Sequence, residues 1–147
     1  MTRVDALADL ADVVLSVARK LHALTPEESG AIALTPLEAL AMQHIDRHPG
    51  ITSSEFAADL SLKSSNASAA LRELERKGLI RRNPDPHDGR TVRITVTAES
   101  HEHLARVRAA WARLLSALPV DGAELARLTA TLQTAEAALS ERQRSRS

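Results

Sequence analysis

The chain has no cysteine and no tyrosine, and one tryptophan and one phenylalanine among its 147 residues. Without cysteine there is no disulfide, no thiolate metal cluster, no nucleophilic thiol and no thiol-based oxidant sensor. With Trp111 and Phe56 as the only large aromatic side chains, a pocket that stacks rings has few partners. Glycine totals five, and none sits in a phosphate-cradling loop or a nucleophile elbow. No Asp/His/Ser arrangement with a workable geometry occurs either, so the chain reads as a non-enzyme that needs no cofactor. No apolar run approaches the roughly 20 residues that cross a bilayer. Met1 is followed by Thr2, Arg3, Val4 and Asp5 rather than by an apolar signal core, so the expected location is cytoplasmic, with no membrane partner.

Net charge is also missing: 19 basic side chains balance 19 acidic ones. The distribution is uneven. Residues 1–60 hold four basic and nine acidic groups, residues 61–95 eight basic and four acidic, and the remainder seven and six. A neutral chain with its positive charge gathered in a central segment reads as a basic binding face on a neutral scaffold. The length and a 44% hydrophobic share suit one domain with a substantial core.

Hydrophobic spacing organises that domain. Leu7, Leu10, Val14, Val17, Leu21 and Leu24 alternate by three and four, a heptad seam on one helix. Residues 25–34, with Pro26 and Gly30, read as a connection. Thr35-Pro36-Leu37-Glu38 is a capping box with proline at the first helical position, which predicts a helix from Pro36 to about Arg47, stopped by His48-Pro49-Gly50. Thr52-Ser53-Ser54-Glu55 repeats the box and opens a short helix ending near Leu60. A fourth helix is expected from Ser64 to Lys77, closed by Gly78, with Ala67, Ala70, Leu71 and Leu74 as its buried stripe. The period then changes to two. Residues 79–82 and 91–97 read as strands, joined by an 83–90 loop rich in turn residues, and together predict an exposed β-hairpin. From Thr97 or Ala98 a long helix carries Leu104, Val107, Trp111, Leu114, Leu115 and Leu118, broken at Pro119. Asp121 caps a last helix with Leu125, Leu128, Leu132, Ala135 and Leu139 at seam spacing, and the tail after Ser140 reads as frayed.

A short helix, a tight turn, an amphipathic helix with small polar residues on its outer face and then a basic hairpin suit the DNA major groove. Ser64, Ser65, Asn66, Ser68 and Ala69 keep the second of these helices slim enough to approach base edges, and Arg72 reaches a guanine edge or a phosphate. The same Ser/Asn-rich start also serves as a plain capping region. Arg81, Arg82, Arg90 and Arg93 decorate the hairpin. Arg90, at its tip, suits a narrow A·T-rich minor groove. Asp88 carries the wrong charge to face phosphate and is expected to stiffen the hairpin through an ion pair with Arg72 or Arg93, beside Gly89. The candidate DNA contacts are therefore Ser53, Ser64, Ser65, Asn66, Ser68, Ala69, Arg72, Arg76, Arg82, Arg90 and Arg93.

The run from Leu71 through Arg82, followed by Pro84-Asp85-Pro86-His87-Asp88-Gly89-Arg90 and Val92-Arg93-Ile94-Thr95-Val96-Thr97, resembles the MarR family of bacterial transcriptional regulators. The resemblance covers nearly the whole chain. It implies a mainly α fold with a small β-wing (α+β), a winged helix-turn-helix over residues 35–97 in a single domain, and helical dimerisation segments at 1–34 and 98–147. It further implies a homodimer, most simply a repressor, on a palindromic double-stranded DNA operator. The helix from Ser64 would lie in the major groove, Arg90 would contact the minor groove, and Asp88 would orient neighbouring arginines. Release by a small, commonly phenolic, anionic ligand is part of the same implication. The seams themselves support dimerisation, through Leu7, Leu10, Val14, Val17 and Leu21 at one end and Leu125, Leu128, Leu132 and Leu139 at the other. An effector pocket is expected near Trp111.

Two other readings stay open at the level of sequence. His44 and His48 lie four apart and His101 and His103 flank Glu102, which makes a metal-responsive regulator conceivable if these segments meet; the pattern assigns no metal ligand. A helical protein-interaction module without DNA contact is the second, and it predicts that Arg90 is dispensable.

Overall fold

A computed structural model describes residues 1–146, in which six helices flank one two-stranded antiparallel sheet. In chain order these are α1 (Arg3–Ser29), α2 (Pro36–Arg47), α3 (Ser53–Asp59), α4 (Ser64–Arg76), β1 (Ile80–Pro84), β2 (Val92–Val96), α5 (Ala98–Leu114) and α6 (Gly122–Arg144). Short-range chemistry sets most of the boundaries. Thr35 and Thr52 each accept the backbone N–H of the glutamate three residues on, and Glu38 and Glu55 reach back to the cap N–H, so both capping boxes are closed. Gly78 ends α4 with φ 74°, a left-handed conformation that costs other residues about 1–2 kcal/mol. A Cβ at Gly78 would meet nothing within 4 Å, so that conformational cost stands alone. Gly78→Ala is expected to destabilise the protein by about 1–2 kcal/mol, seen as a lower urea midpoint at unchanged slope, and Gly78→Asn by less.

The core lies under the helix-turn-helix. Phe56, Met42, Ile45, Leu71, Leu74, Leu79 and Ile94 are at most 1% exposed and pack with Ala41, Ala67, Ile51 and Ile80. The hairpin pairs Ile80 with Val96 and Pro84 with Val92. Its root is buried rather than exposed, because Ile94 also bridges Ile51, with Gly50 N–H donating to Ile94 O and Ile94 N–H to Ile51 O, each at 2.9 Å. The outer part of the hairpin, with Val92 exposed, matches the expected protrusion.

Several boundaries differ from the sequence reading, among them that of β1, which runs on through residues 83 and 84, expected in the loop, and pairs them with Arg93 and Val92. Residues 25–29 continue α1 instead of connecting it: the Thr25 hydroxyl donates to Leu21 O, the Ser29 hydroxyl to Thr25 O, and Gly30 N–H to Pro26 O, closing the helix in a left-handed cap. A proline inside the helix removes one donor, and these neighbouring bonds keep the turn intact. Helix α5 stops at Leu114, ahead of Pro119, where the Ser116 hydroxyl takes the Arg113 carbonyl. Helix α6 runs past Ser140 to Arg144, with Arg142 and Arg144 in its last turn facing the negative end of the helix dipole; Ser147 lies outside the described residues.

Helix α1 packs on α5, where Arg113 pairs with Glu28 at 2.7 Å. Yet neither α1 nor α6 buries a single residue within the chain. Leu7, Leu10, Val14 and Val17, and Leu125, Leu128, Leu132 and Leu139, are all between 40% and 63% exposed, while Leu21 is half-buried. No helix among the described residues is long and apolar enough to cross a membrane.

Candidate nucleic-acid interface and the adjoining cavity

Helix α4 differs from every other helix at its first turn. A side chain caps α1, α2, α3, α5 and α6, from Thr2, Thr35, Thr52, Thr97 and Asp121 respectively, but Lys63 leaves α4 without a side-chain cap. The Ser/Asn-rich start is therefore not spent on capping. Ser64, Ser65, Asn66 and Ala69 are exposed and Ser68 half-buried, while Ala67, Ala70, Leu71 and Leu74 fix the opposite face in the core. Uncapped amides at a helix N-terminus, with free hydroxyls beside them, present donors and a positive dipole end to an anion. Ser53 stands half-buried in the first turn of the neighbouring helix α3.

The basic segment divides into paired and unpaired cations. Arg76 pairs with Glu73 at 2.7 Å, Arg82 lies 3.3 Å from Glu75, and Arg93 pairs with Asp85 at 2.8 Å. Arg72, Arg81 and Arg90 are exposed and form no ion pair among the described residues. The acidic partners Glu73, Glu75 and Asp85 escaped the sequence reading. Only Glu73 carries a local signal, its i,i+3 spacing to Arg76.

In the wing, Asp85 takes the ion-pair role expected of Asp88. Its carboxylate accepts His87 N–H at 2.8 Å and Arg93 Nε at 2.8 Å, while Arg93 also donates to Gly50 O and so ties the wing to the loop before α3. Asp88 meets neither Arg72 nor Arg93. It accepts Arg90 N–H at 3.0 Å and the Thr91 hydroxyl at 2.9 Å, which shapes the tip backbone and leaves the Arg90 guanidinium outward and exposed. Gly89 adopts no left-handed φ, and a Cβ there would meet nothing within 4 Å. The wing backbone thus does not require a glycine at this position.

The His87 amide first, and the Arg93 guanidinium next, hold the Asp85 carboxyl below its ordinary value near 3.8. A carboxylate with a lowered folded value stabilises the fold above its unfolded value, and that contribution is lost as pH falls through the folded one. Slow exchange of the His87 amide is therefore expected to persist through the ordinary carboxylate range and to be lost only as pH falls through the lowered folded value of Asp85. In Asp85→Asn that amide is expected to exchange faster at neutral pH.

Trp111 donates through Nε1 to Thr25 Oγ1 at 3.0 Å and lines a cavity of about 540 Å³ between α1, the 30–35 segment, α2 and α5. The 30–35 segment is pinned on two sides. His103 Nε2 donates to Ile32 O at 3.1 Å, while Lys77 Nζ, just past α4, donates to Ala33 O at 3.2 Å and to Glu38 at 2.6 Å. The four histidines do not converge. His44 pairs with Asp59 and stacks on His48, whose Nδ1 donates to His44 O, and His101 lies 3.6 Å from Asp46.

The sequence profile of the MarR family matches residues 34–91, which span α2 to the wing tip. The HTH-type transcriptional repressor Rv2887 of Mycobacterium tuberculosis is 33% identical over 119 residues, covering 76% of this chain and 86% of its own length. The chain belongs to the MarR family. Among solved structures, the transcriptional regulator SlyA superposes with a TM-score of 0.70 at 22% identity, covering 92% of this chain and 96% of its own. FabT of Streptococcus pneumoniae, solved in complex with DNA, superposes with 0.67 at 19% identity, covering 92% and 98%. The winged helix-turn-helix fold and the role of a DNA-binding transcriptional regulator follow from this membership. The MarR-family relatives are named as regulators, not as enzymes.

Proposed function

We propose that this MarR-family protein is a repressor that binds a palindromic operator as a homodimer and is released by a small molecule held beside Trp111. The uncapped, exposed N-terminal turn of α4 carries the proposal. In this reading Ser64, Ser65, Asn66, Ser68 and Ala69 meet base edges and phosphates in the major groove, and Ser53 supports them from α3. Arg72, Arg81 and Arg90 supply the unneutralised charge. Arg76, Arg82 and Arg93 engage DNA only by exchanging a carboxylate for a phosphate, so they contribute less. Residues 35–97 form the DNA-binding region, and the flanking segments form the dimerisation region of the same domain.

Dimerisation follows from the two long helices. A helix of 23 residues with no buried side chain is marginal in water, and its stability comes from covering an apolar face. A second copy offers the matching seam, with the isologous contact that a two-fold axis requires. Such a dimer places two α4 helices about one DNA turn, 10–10.5 base pairs, apart. Selection of bound duplexes from a random pool tests the whole reading. The expected product is a palindrome with half-sites about one turn apart; enrichment of no sequence, or of a single unrepeated half-site, overturns it.

A further inference from the structure

Lys77 closes α4 as its C-cap, and its side chain turns back into the protein. Nζ donates at 2.6 Å to Glu38 Oε2, the oxygen that also accepts the Thr35 N–H at the start of α2, and at 3.2 Å to Ala33 O. Among the described residues it makes the most enclosed ion pair of the basic segment, with 17% of the lysine and 8% of the glutamate side chain exposed. An exposed pair exchanges readily with water, whereas breaking a buried one strands a charge, so this contact holds its geometry. Ala33 stands between Ile32 and Leu34, the only residues of the described cavity lining that lie outside helices. The least regular wall of the cavity is therefore fastened to the end of α4.

Helix α4 is a stiff rod whose buried stripe, Ala67 to Leu74, centres near Leu71. Lys77 lies as far beyond Leu71 in the chain as Ser65 lies before it, about 9 Å along the axis in each direction at 1.5 Å per residue. A sideways shift at Lys77 is thus matched by an opposite shift of like size at Ser65. We infer, resting on the proposed DNA-binding role of α4, that Lys77 is a positioning residue for operator binding. Through Glu38 and Ala33 O it locks α4 to α2 and to the cavity wall, so that the exposed N-terminal turn of α4 and that wall move together. Its enclosed ammonium is committed to these two acceptors and touches no phosphate.

The test starts from Glu38→Gln, which keeps the capping box and leaves Lys77 two acceptors. This variant is expected to hold a duplex from the selected pool within about threefold of the unsubstituted protein. Adding Lys77→Met removes the lock without stranding a buried charge; Lys77→Ala takes its place if thermal unfolding shows the methionine variant to be unfolded. The doubly substituted protein is expected to bind that duplex about tenfold more weakly, with unchanged affinity for an unrelated duplex and an unchanged slope of log affinity against log salt. Saturating operator is expected to change the emission of Trp111, the only tryptophan, in the unsubstituted protein and in Glu38→Gln, and to leave it unmoved once Lys77 is replaced. No further loss on replacing Lys77, an equal loss for both duplexes or a shallower salt slope overturns the positioning role. A Trp111 response that survives replacement of Lys77, or that is absent from every form, overturns the link to the cavity wall. Failure of the DNA-binding reading shows separately, because the unsubstituted protein then retains no duplex.

Discussion

Replacing Leu128 and Leu132 together by glutamate is expected to turn the protein into a monomer that no longer holds its operator at submicromolar concentration. Both side chains are about half exposed in the protomer, at 50% and 45%, so a partner has roughly half of each leucine left to cover. Complete burial of a leucine is favourable by about 1.5–3 kcal/mol, which gives about 1 kcal/mol per half-covered side chain. Four such leucines per two-fold dimer sum to about 4 kcal/mol, or roughly a thousandfold in dimer dissociation, before the desolvation of the new carboxylates is added. Operator binding follows, because each half-site then engages alone and the linked second contact is lost. Sedimentation equilibrium reads the mass and fluorescence anisotropy reads the operator. The helix-turn-helix core is not touched, so its thermal transition should persist while α6 helicity falls. A variant that remains dimeric would place the subunit contact elsewhere.

Much of the scaffold was legible in the sequence because it is written in short-range chemistry. The starts of α2 and α3 follow from capping boxes that close within four residues, and the end of α4 from the left-handed conformation of Gly78. The α1 boundary was misread at Pro26, because a proline removes one donor while the hydroxyls of Thr25 and Ser29, which bond within the same turns, carry no separate sequence signal. The exchange of roles between Asp85 and Asp88 has another origin. Both are acidic residues in a turn-rich loop near arginines, and only the strand register, with Asn83 opposite Arg93, decides which carboxylate comes within 2.8 Å of the guanidinium.

The binding face shows the same division. Small polar residues at 64–69 are compatible with a helix cap and with groove contact alike, and the absence of a side-chain cap on α4 supports the proposed groove contact. The basic count of residues 61–95 overstated the free charge, since Glu73, Glu75 and Asp85 neutralise half of the six arginines there. The expectation of a pocket near Trp111 carried no lining residues beyond that side chain. The cavity itself needs α1 laid against α5, and the bond from His103 Nε2 that pins its 30–35 wall reaches the Ile32 carbonyl 71 residues away.

Arg90→Ala is expected to weaken operator binding by roughly a hundredfold at moderate salt. The guanidinium is exposed and unpaired, whereas the Arg90 backbone N–H is the group that Asp88 holds. Truncation therefore removes the charge and leaves the tip scaffold in place. A well-placed arginine contact contributes about 1–3 kcal/mol, and the proposed dimer presents two, so about 2–6 kcal/mol is at stake, a range that contains the hundredfold estimate. Salt dependence identifies what Arg90 touches. If it neutralises phosphate, the slope of log affinity against log salt becomes shallower by about 0.9 for each of the two contacts. If it lies in a narrow minor groove, Arg90→Ala also loses its preference for A·T pairs at the flanks of the operator. Asp88→Ala provides the contrast, because it loosens the tip without removing a cation, so affinity falls while the salt slope is kept. Anisotropy titrations at several salt concentrations separate these outcomes. Unchanged affinity and slope in Arg90→Ala would remove the wing from the interface and leave α4 alone to account for binding.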